Sequence, residues 1–338
     1  MGLYCGIDLH SNNNWVVVLD GTDKVVKEKK LPNDLGRVIE ELDPFREELE
    51  GVAVESTWNW YWLVDGLMEA GFPVRLVNTS AVKQYEGIKH TDDKHDARWL
   101  AHLQALGILP EGYIYPKEDR PVRDLLRRRM YLVEKRTSML LAMRGAFECR
   151  TGDRVSVNDI KGWTDDDVDT QIEDQIAALS ITCLLEPVAM LSGQIKRLED
   201  VARARARRRP GHRRLQTVWG IGRLLSLVIL YEVGDISRFP TVGDFASYCR
   251  LVKSGRFSNG KRKGGGNPKN GNRYLSWAFH EAAHHAVQHY PKAKHFVQTK
   301  TAEVNGIVAI RALAHKLARA TYYVLRDQVD FEPSKLFK

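Results

Sequence analysis

Over the first 110 residues, apolar positions fall in short runs separated by polar breaks. Residues 3–8, 14–20 and 24–31 are three such runs. The second contains Val16-Val17-Val18-Leu19 and closes on the turn step Asp20-Gly21, so three successive strands are predicted. A helical stretch over 34–49 is expected next, then the apolar run Gly51-Val52-Ala53-Val54-Glu55 and an aromatic-rich helix over 58–70. The strand Pro73-Val74-Arg75-Leu76-Val77 and helices near 80–86 and 93–106 complete this region.

Three strands followed by alternating helix and strand is the order of a ribonuclease-H-like α/β domain. Between 118 and 208 the period changes. Leu125, Leu126, Met130, Leu132, Val133, Met139, Leu140, Leu141 and Met143 recur near helical spacing, and a second helix is expected over 170–207 after an Asp-rich break at 151–168. Two long helices about a linker suit a coiled-coil arm of the kind that joins copies of a chain, and equally a hairpin closed within one chain. The remainder is predicted to be mostly helical, interrupted by a Gly-, Lys- and Asn-rich loop from Lys253 to Asn272. The expected division is 1–112, an α/β catalytic domain; 113–208, a helical arm; and 209–330, a helical C-terminal domain with a helix-hairpin-helix-like element.

Charge sharpens this division. Residues 1–110 carry a net −7 and residues 111–338 a net +15. The basic portion suits a polyanion and the acidic one a cation. No stretch approaches the roughly 20 consecutive apolar residues of a membrane helix, and the N-terminus has no secretory pattern. Cys5, Cys149, Cys183 and Cys249 are scattered, as in a cytoplasmic protein with reduced thiols. No membrane partner is expected.

Four carboxylates carry the candidate chemistry. Asp8 ends the first strand and Glu55 the fourth, while Asp93 and Asp96, three apart on a helix, share one face. In a ribonuclease-H-like sheet those strands are neighbours. Four converging acids repel unless cations fill the gap, and two Mg²⁺ ions about 4 Å apart would fit and activate a phosphodiester. Asp92 reads as an ordinary helix N-terminal acid. Further along, Gly220-Ile221-Gly222 with Arg213, Arg214 and Arg223 resembles a helix-hairpin-helix, whose turn offers backbone N–H groups to a phosphate. Lys261, Arg262, Lys263, Lys269 and Arg273 make the glycine-rich loop suited to nucleic-acid phosphates. A serine in that loop could be a turn residue, a phosphate contact or a nucleophile. His280-Glu281-Ala282-Ala283-His284 matches the zinc-protease pattern H-E-x-x-H, but the downstream ligand spacing is absent.

Taken together, Gly-Ile-Asp8-Leu-His, Val-Glu55-Ser-Thr, Thr-Asp-Asp93-Lys-His-Asp96-Ala and Gly107-Ile108-Leu109-Pro110-Glu111-Gly112 resemble the N-terminal half of the DEDD-type insertion-sequence transposases. That group includes the bridge-RNA-guided recombinases. Gly220-Ile221-Gly222, Gly234-Asp235-Ile236-Ser237-Arg238-Phe239 and Gly271-Asn272-Arg273-Tyr274-Leu275 resemble its C-terminal half. The resemblance implies a RuvC-like domain whose Asp8, Glu55, Asp93 and Asp96 bind Mg²⁺, and a transposase domain with an essential serine. By register that serine is Ser258, with Ser254 the alternative because Asn259 departs from the family loop. The resemblance further implies DNA donor and target, a guide RNA that pairs with both, and a dimer or tetramer. A structure-specific or Holliday-junction nuclease would use the same acids without the serine, and a zinc protease would need His280, Glu281 and His284.

Overall fold

Runs of largely buried residues build β1 (Leu3–Leu9) and β2 (Asn13–Asp20), and a more exposed run builds β3 (Val25–Pro32); the three pair antiparallel in turn. β4 (Leu49–Glu55) lies parallel to β1, and β5 (Val74–Val77) parallel to β4. The sheet order is β3-β2-β1-β4-β5, consistent with a ribonuclease-H-like arrangement. The computed structural model describes residues 2–82, 92–206, 211–252, 255–258, 261–264 and 270–337. They divide into two compact units, Met1–Lys117 and Glu118–Lys338.

In the first unit, α1 (Leu35–Leu42) and α2 (Tyr61–Glu69) cover one face of the sheet. Val38, Leu42, Leu63 and Leu67 pack there against Cys5, Ile7, Val18, Val52 and Val54. Burying each such aliphatic side chain stabilises by about 1.5–3 kcal/mol. The predicted helix 34–49 is cut short. Asp34 caps α1, but Pro44 starts a 3₁₀ turn over Asp43–Phe45 and β4 begins at Leu49. On the other face lies α3 (Asp93–Ala105), whose Ala97 and Ala101 meet Val17 and Leu19. The helix expected near 80–86 falls largely outside the described residues.

In the second unit, α4 (Arg120–Thr151) runs beside α8 (Leu185–Ala206) in the opposite sense. Arg129 bonds Glu199 at 2.6 Å and Arg136 bonds Ser192 at 3.2 Å, so the register advances by one heptad on each helix. The arm is therefore a hairpin closed within the chain. Its turn holds α5 (Val157–Ile160), α6 (Asp165–Gln171) and α7 (Gln175–Thr182). The predicted single helix 170–207 is three pieces. Asp174 accepts from the Ala177 N–H at 2.8 Å and starts a new helix, and the chain breaks again at Cys183-Leu184 before α8.

By length and composition Gln175–Arg205 meets the measure of a membrane span, which core helices also meet, although, as expected, it holds no run of about 20 consecutive apolar residues. Its apolar residues are interrupted by polar ones. It is shared between α7 and α8, and contributes Ala177, Ile181 and Val188 to a small core with Leu140, Met143 and Phe147.

The rest of this unit comprises α9 (Gly211–Leu215), α10 (Arg223–Val233), α11 (Val242–Tyr248), the antiparallel strands β6 (Arg256–Ser258) and β7 (Lys261–Gly264), α12 (Arg273–His289), α13 (Pro291–Glu303) and α14 (Gly306–Arg326). Leu227, Phe245, Phe279, Leu313 and Tyr322 form its core, together with Leu126 and Met130 of α4. The glycine-rich segment, expected as irregular loop, thus holds a β-hairpin with Ser258 opposite Lys261. Asn-Gly at 259–260 is the short-range signal for such a hairpin.

Candidate metal centre

Successive residues of a strand face opposite sides of the sheet. Since Cys5, Ile7 and Leu9 point to α1 and α2, Gly6, Asp8 and His10 point to α3. Ile7 pairs with Val54 across the parallel ladder, which sets Asp8 and Glu55 side by side. The close approach of α3 depends on Gly6. A Cβ there would stand 2.0 Å from the Ala97 carbonyl oxygen and 2.7 Å from the Ala101 nitrogen, and helix backbone cannot yield as a side chain would. Gly6→Ala is accordingly expected to displace α3, and with it Asp93 and Asp96. The cost should be about 1–3 kcal/mol, as for overpacked cores, read as a lower urea midpoint at unchanged slope.

The first turn of α3 presents Asp93 and Asp96. Asp92 is its N-cap, accepting from the His95 N–H at 2.8 Å, which fits its reading as a helix N-terminal acid. Asp8, Glu55 and Asp96 line a cleft of about 50 Å³ with Thr79, Val82, Trp99 and Leu100. His10 Nε2 lies 3.0 Å from Asp8 Oδ2 and 3.2 Å from Asp93 Oδ1. The ligand atoms of Asp8, His10 and Asp93 all fall within 4.8 Å of one another. Sequence reasoning missed His10, although it stands two residues beyond Asp8 on the same strand face.

The electrostatics are those of crowded acids. Asp8 is 3% exposed. Burial raises its pKa, a hydrogen bond shared with Glu55 lowers it, and the charges of Asp96 and Asp93 raise it, with a net rise. Burial, the bond to Asp8 and the charge of Asp8 push Glu55 up to about 8, against the pull of His10. Asp96 is also raised, by burial and by Glu55, Asp93 and Asp92, with His95 opposing. Carboxyls whose pKa values are raised by burial and by one another's charge are suited to a divalent cation, which hard oxygen ligands favour.

The second unit holds the other predicted residues. Ser258 is exposed, as are Lys261, Lys263, Arg213, Gly222, Arg223 and Arg273. Arg214 bonds Gln328 at 2.6 Å, and Arg273 bonds the Tyr274 hydroxyl at 3.1 Å. The Arg262 side chain, Ser254 and Lys269 lie outside the described residues. Gly220 has a packing reason of its own: at φ +77° its Cβ would stand 1.9 Å from the Ala282 oxygen. His280 Nδ1 is 2.7 Å from the Ser276 oxygen. Among the described residues, Asp8, His10 and Asp93 are the one trio placed to hold a metal, so no third ligand joins His280 and His284.

A buried ion cluster joins α4, α10 and the cap of α12. Glu232, 2% exposed, accepts from Arg123 at 3.1 Å, from Arg127 Nη2 at 2.8 Å and from Asn272 Nδ2 at 2.7 Å. Burial works to raise its pKa, but the arginines and the amide together hold it below the ordinary glutamate value. With its oxygen, Asn272 caps α12 by accepting from the Tyr274 and Leu275 N–H groups.

Comparison with known proteins agrees with this arrangement at both ends of the chain. Residues 5–148 match the DEDD transposases of IS110 type, a family described as "Transposase", and residues 212–298 match the "Transposase IS116/IS110/IS902 family". A protein of Pseudomonas aeruginosa named "Probable family 20 transposase" is 26% identical over 302 residues, covering 83% of this chain and 86% of its own length. The acid-bearing sheet lies in the first matched region and the serine hairpin in the second. The chain belongs to the IS110-type DEDD transposases and is a DNA transposase.

Proposed function

We propose that the protein excises and inserts a mobile element by Mg²⁺-dependent strand exchange through a serine nucleophile. The convergence of Asp8, Glu55, Asp93 and Asp96 carries this reading, because such a set is costly without a cation. These four residues would hold one or two Mg²⁺ ions, which neutralise phosphate charge and stabilise the departing oxygen. The Ser258 oxygen attacks phosphorus. An O–P bond forms to serine, the strand's P–O bond breaks, and the released oxygen takes up a proton. The phosphoserine link conserves bond energy, so rejoining needs no ATP. Exposed Ser258, with Lys261 opposite and Lys263 nearby on β7, suits an attacking group among phosphates.

The division of labour follows 1–112 for metal chemistry, 113–208 for assembly and 209–330 for nucleic acid. Lys261, Arg262, Lys263, Lys269 and Arg273, with Arg213, Arg214, Gly220, Gly222 and Arg223, would contact phosphates of DNA and of a guide RNA. Base pairing of that RNA would read sequence while the protein reads backbone. Exchange of strands needs several sites at once, hence a dimer or tetramer. Ile176, Leu179 and Met190 are 83%, 65% and 55% exposed near the tip of the arm, and such apolar exposure suits an interface. The double change Ile176→Asp and Leu179→Asp is expected to lower the assembled mass in light scattering, with an unchanged far-UV spectrum.

Joined circles excised from a plasmid carrying the gene and its native flanks test the mechanism by PCR. Loss of circles with both Asp8→Ala and Ser258→Ala is expected. Circles that persist with Ser258→Ala would move the nucleophile to Ser254 or leave a metal-only reaction.

A further inference from the structure

The ring of His10 occupies a ligand's position among the acids. Two donors at right angles around an ion, each bound at roughly 2.1 Å, stand about 3.0 Å apart. Nε2 lies 3.0 Å from Asp8 Oδ2 and 3.2 Å from Asp93 Oδ1. The three atoms fit within 4.8 Å of each other, room for two oxygens on either side of one nitrogen. Nε2 is itself buried, although 41% of the side chain is exposed, and it meets hydrogen-bond geometry with neither carboxylate. A nitrogen enclosed at ion-pair distance between two acids, with no aligned hydrogen bond to either, can serve in its neutral form as a lone-pair donor to an ion between them.

The backbone holds the ring in place. The His10 carbonyl accepts from Asn33 Nδ2 at 2.9 Å and Asn59 Nδ2 at 3.0 Å, and its N–H donates to the Asn13 oxygen at 2.9 Å. Asn33 is fixed in turn by Asn14, whose Nδ2 donates to Asn33 Oδ1 at 3.1 Å. Three contacts at the main chain are more than a surface histidine needs.

We propose that His10 Nε2 is a nitrogen ligand of the ion held by Asp8 and Asp93, and that this position therefore favours Mn²⁺ over Mg²⁺. Imidazole binds first-row transition ions well, whereas Mg²⁺ keeps to oxygen and water. The inference rests on the reading of the acids as a metal site.

The test is pulsed electron paramagnetic resonance of the full-length protein loaded with Mn²⁺. Wild type should show ¹⁴N modulation from a coordinated imidazole. His10→Gln should lose it while still binding Mn²⁺, because the ties at this residue are to its backbone. The Kd for Mn²⁺ should rise about 10-fold or more in His10→Gln, and the Kd for Mg²⁺, by competition, by less than about 3-fold. Asp8→Asn should abolish binding at this position. Bound Mn²⁺ without ¹⁴N modulation, or modulation that survives His10→Gln, overturns the ligand assignment and leaves the metal site standing. Equal weakening of both ions overturns the preference, and failure of the wild type to bind Mn²⁺ removes both the inference and the metal reading beneath it.

Discussion

Asp8→Asn is expected to end excision and, in the absence of metal, to raise the melting temperature. Loss of activity should exceed about 100-fold, the scale of removing one preorganised electrostatic group. The gain in stability follows from the like charges around the residue. Asp8 is buried against Glu55, with Asp93 and Asp96 adding repulsion, and asparagine keeps the shape while removing one charge. After solvent screening the relief is on the order of 1 kcal/mol, or about 4 °C for a domain of this size.

The sign with pH follows from the raised carboxyls. Glu55 is held up to about 8 in the fold against roughly 4.3 in an open chain. Between those values the native state keeps a proton that the unfolded state has released, so stability falls as pH rises. Melting in EDTA should thus be lower at pH 8.5 than at pH 5, and Asp8→Asn should flatten the slope. Added Mg²⁺ should restore wild type by mass action and leave the variant unmoved. A wild-type melting point that climbs steadily from pH 5 to 8.5 in EDTA would count against a strained acid cluster.

Glu232→Ala is expected to be the most damaging single change in the second unit, at about 3–5 kcal/mol, the usual loss when one partner of a buried ion pair is removed. Arg123 and Arg127 would keep their charges without the carboxylate, and Asn272 would lose the acceptor of its amide. Glu232→Gln should cost less, because it still accepts from Asn272. Joint replacement of Glu232 and Arg127 by apolar residues should recover part of the loss, since coupled partners are not additive. Chemical denaturation of the four proteins checks this; a Glu232→Ala cost below about 1 kcal/mol, the scale of an exposed pair, would show that the cluster is solvated in solution.

The sheet was legible because its strands are short apolar runs, such as Val16-Val17-Val18-Leu19, and Asp20-Gly21 marks a turn. The acids were legible because each closes a strand or opens a helix. His10 carried no such mark: a histidine two residues beyond an aspartate is ordinary until its ring is seen against Asp93, which is far away in sequence. Glu232 was equally silent, its arginine partners lying 105 and 109 residues away, beyond any local pattern. The pieces of the arm turned on single side chains, Pro44-like in their effect, such as the Asp174 cap. The hairpin around Ser258 was written in Asn259-Gly260 and was obscured by the glycines and lysines that follow.

With 32 residues, α4 is about 48 Å long at the usual rise of roughly 1.5 Å per residue. One end is clamped to Glu232 beside the cap of α12, and the other carries Phe147 into a separate small core. It is a lever. A turn of about 5° at the clamp sweeps the far end through roughly 4 Å on that length, enough to align or misalign a contact between copies. On the proposed function, a small adjustment at the clamp would thereby be magnified at the tip, and a second copy seated at the tip would apply its torque at Arg123, Arg127 and Glu232.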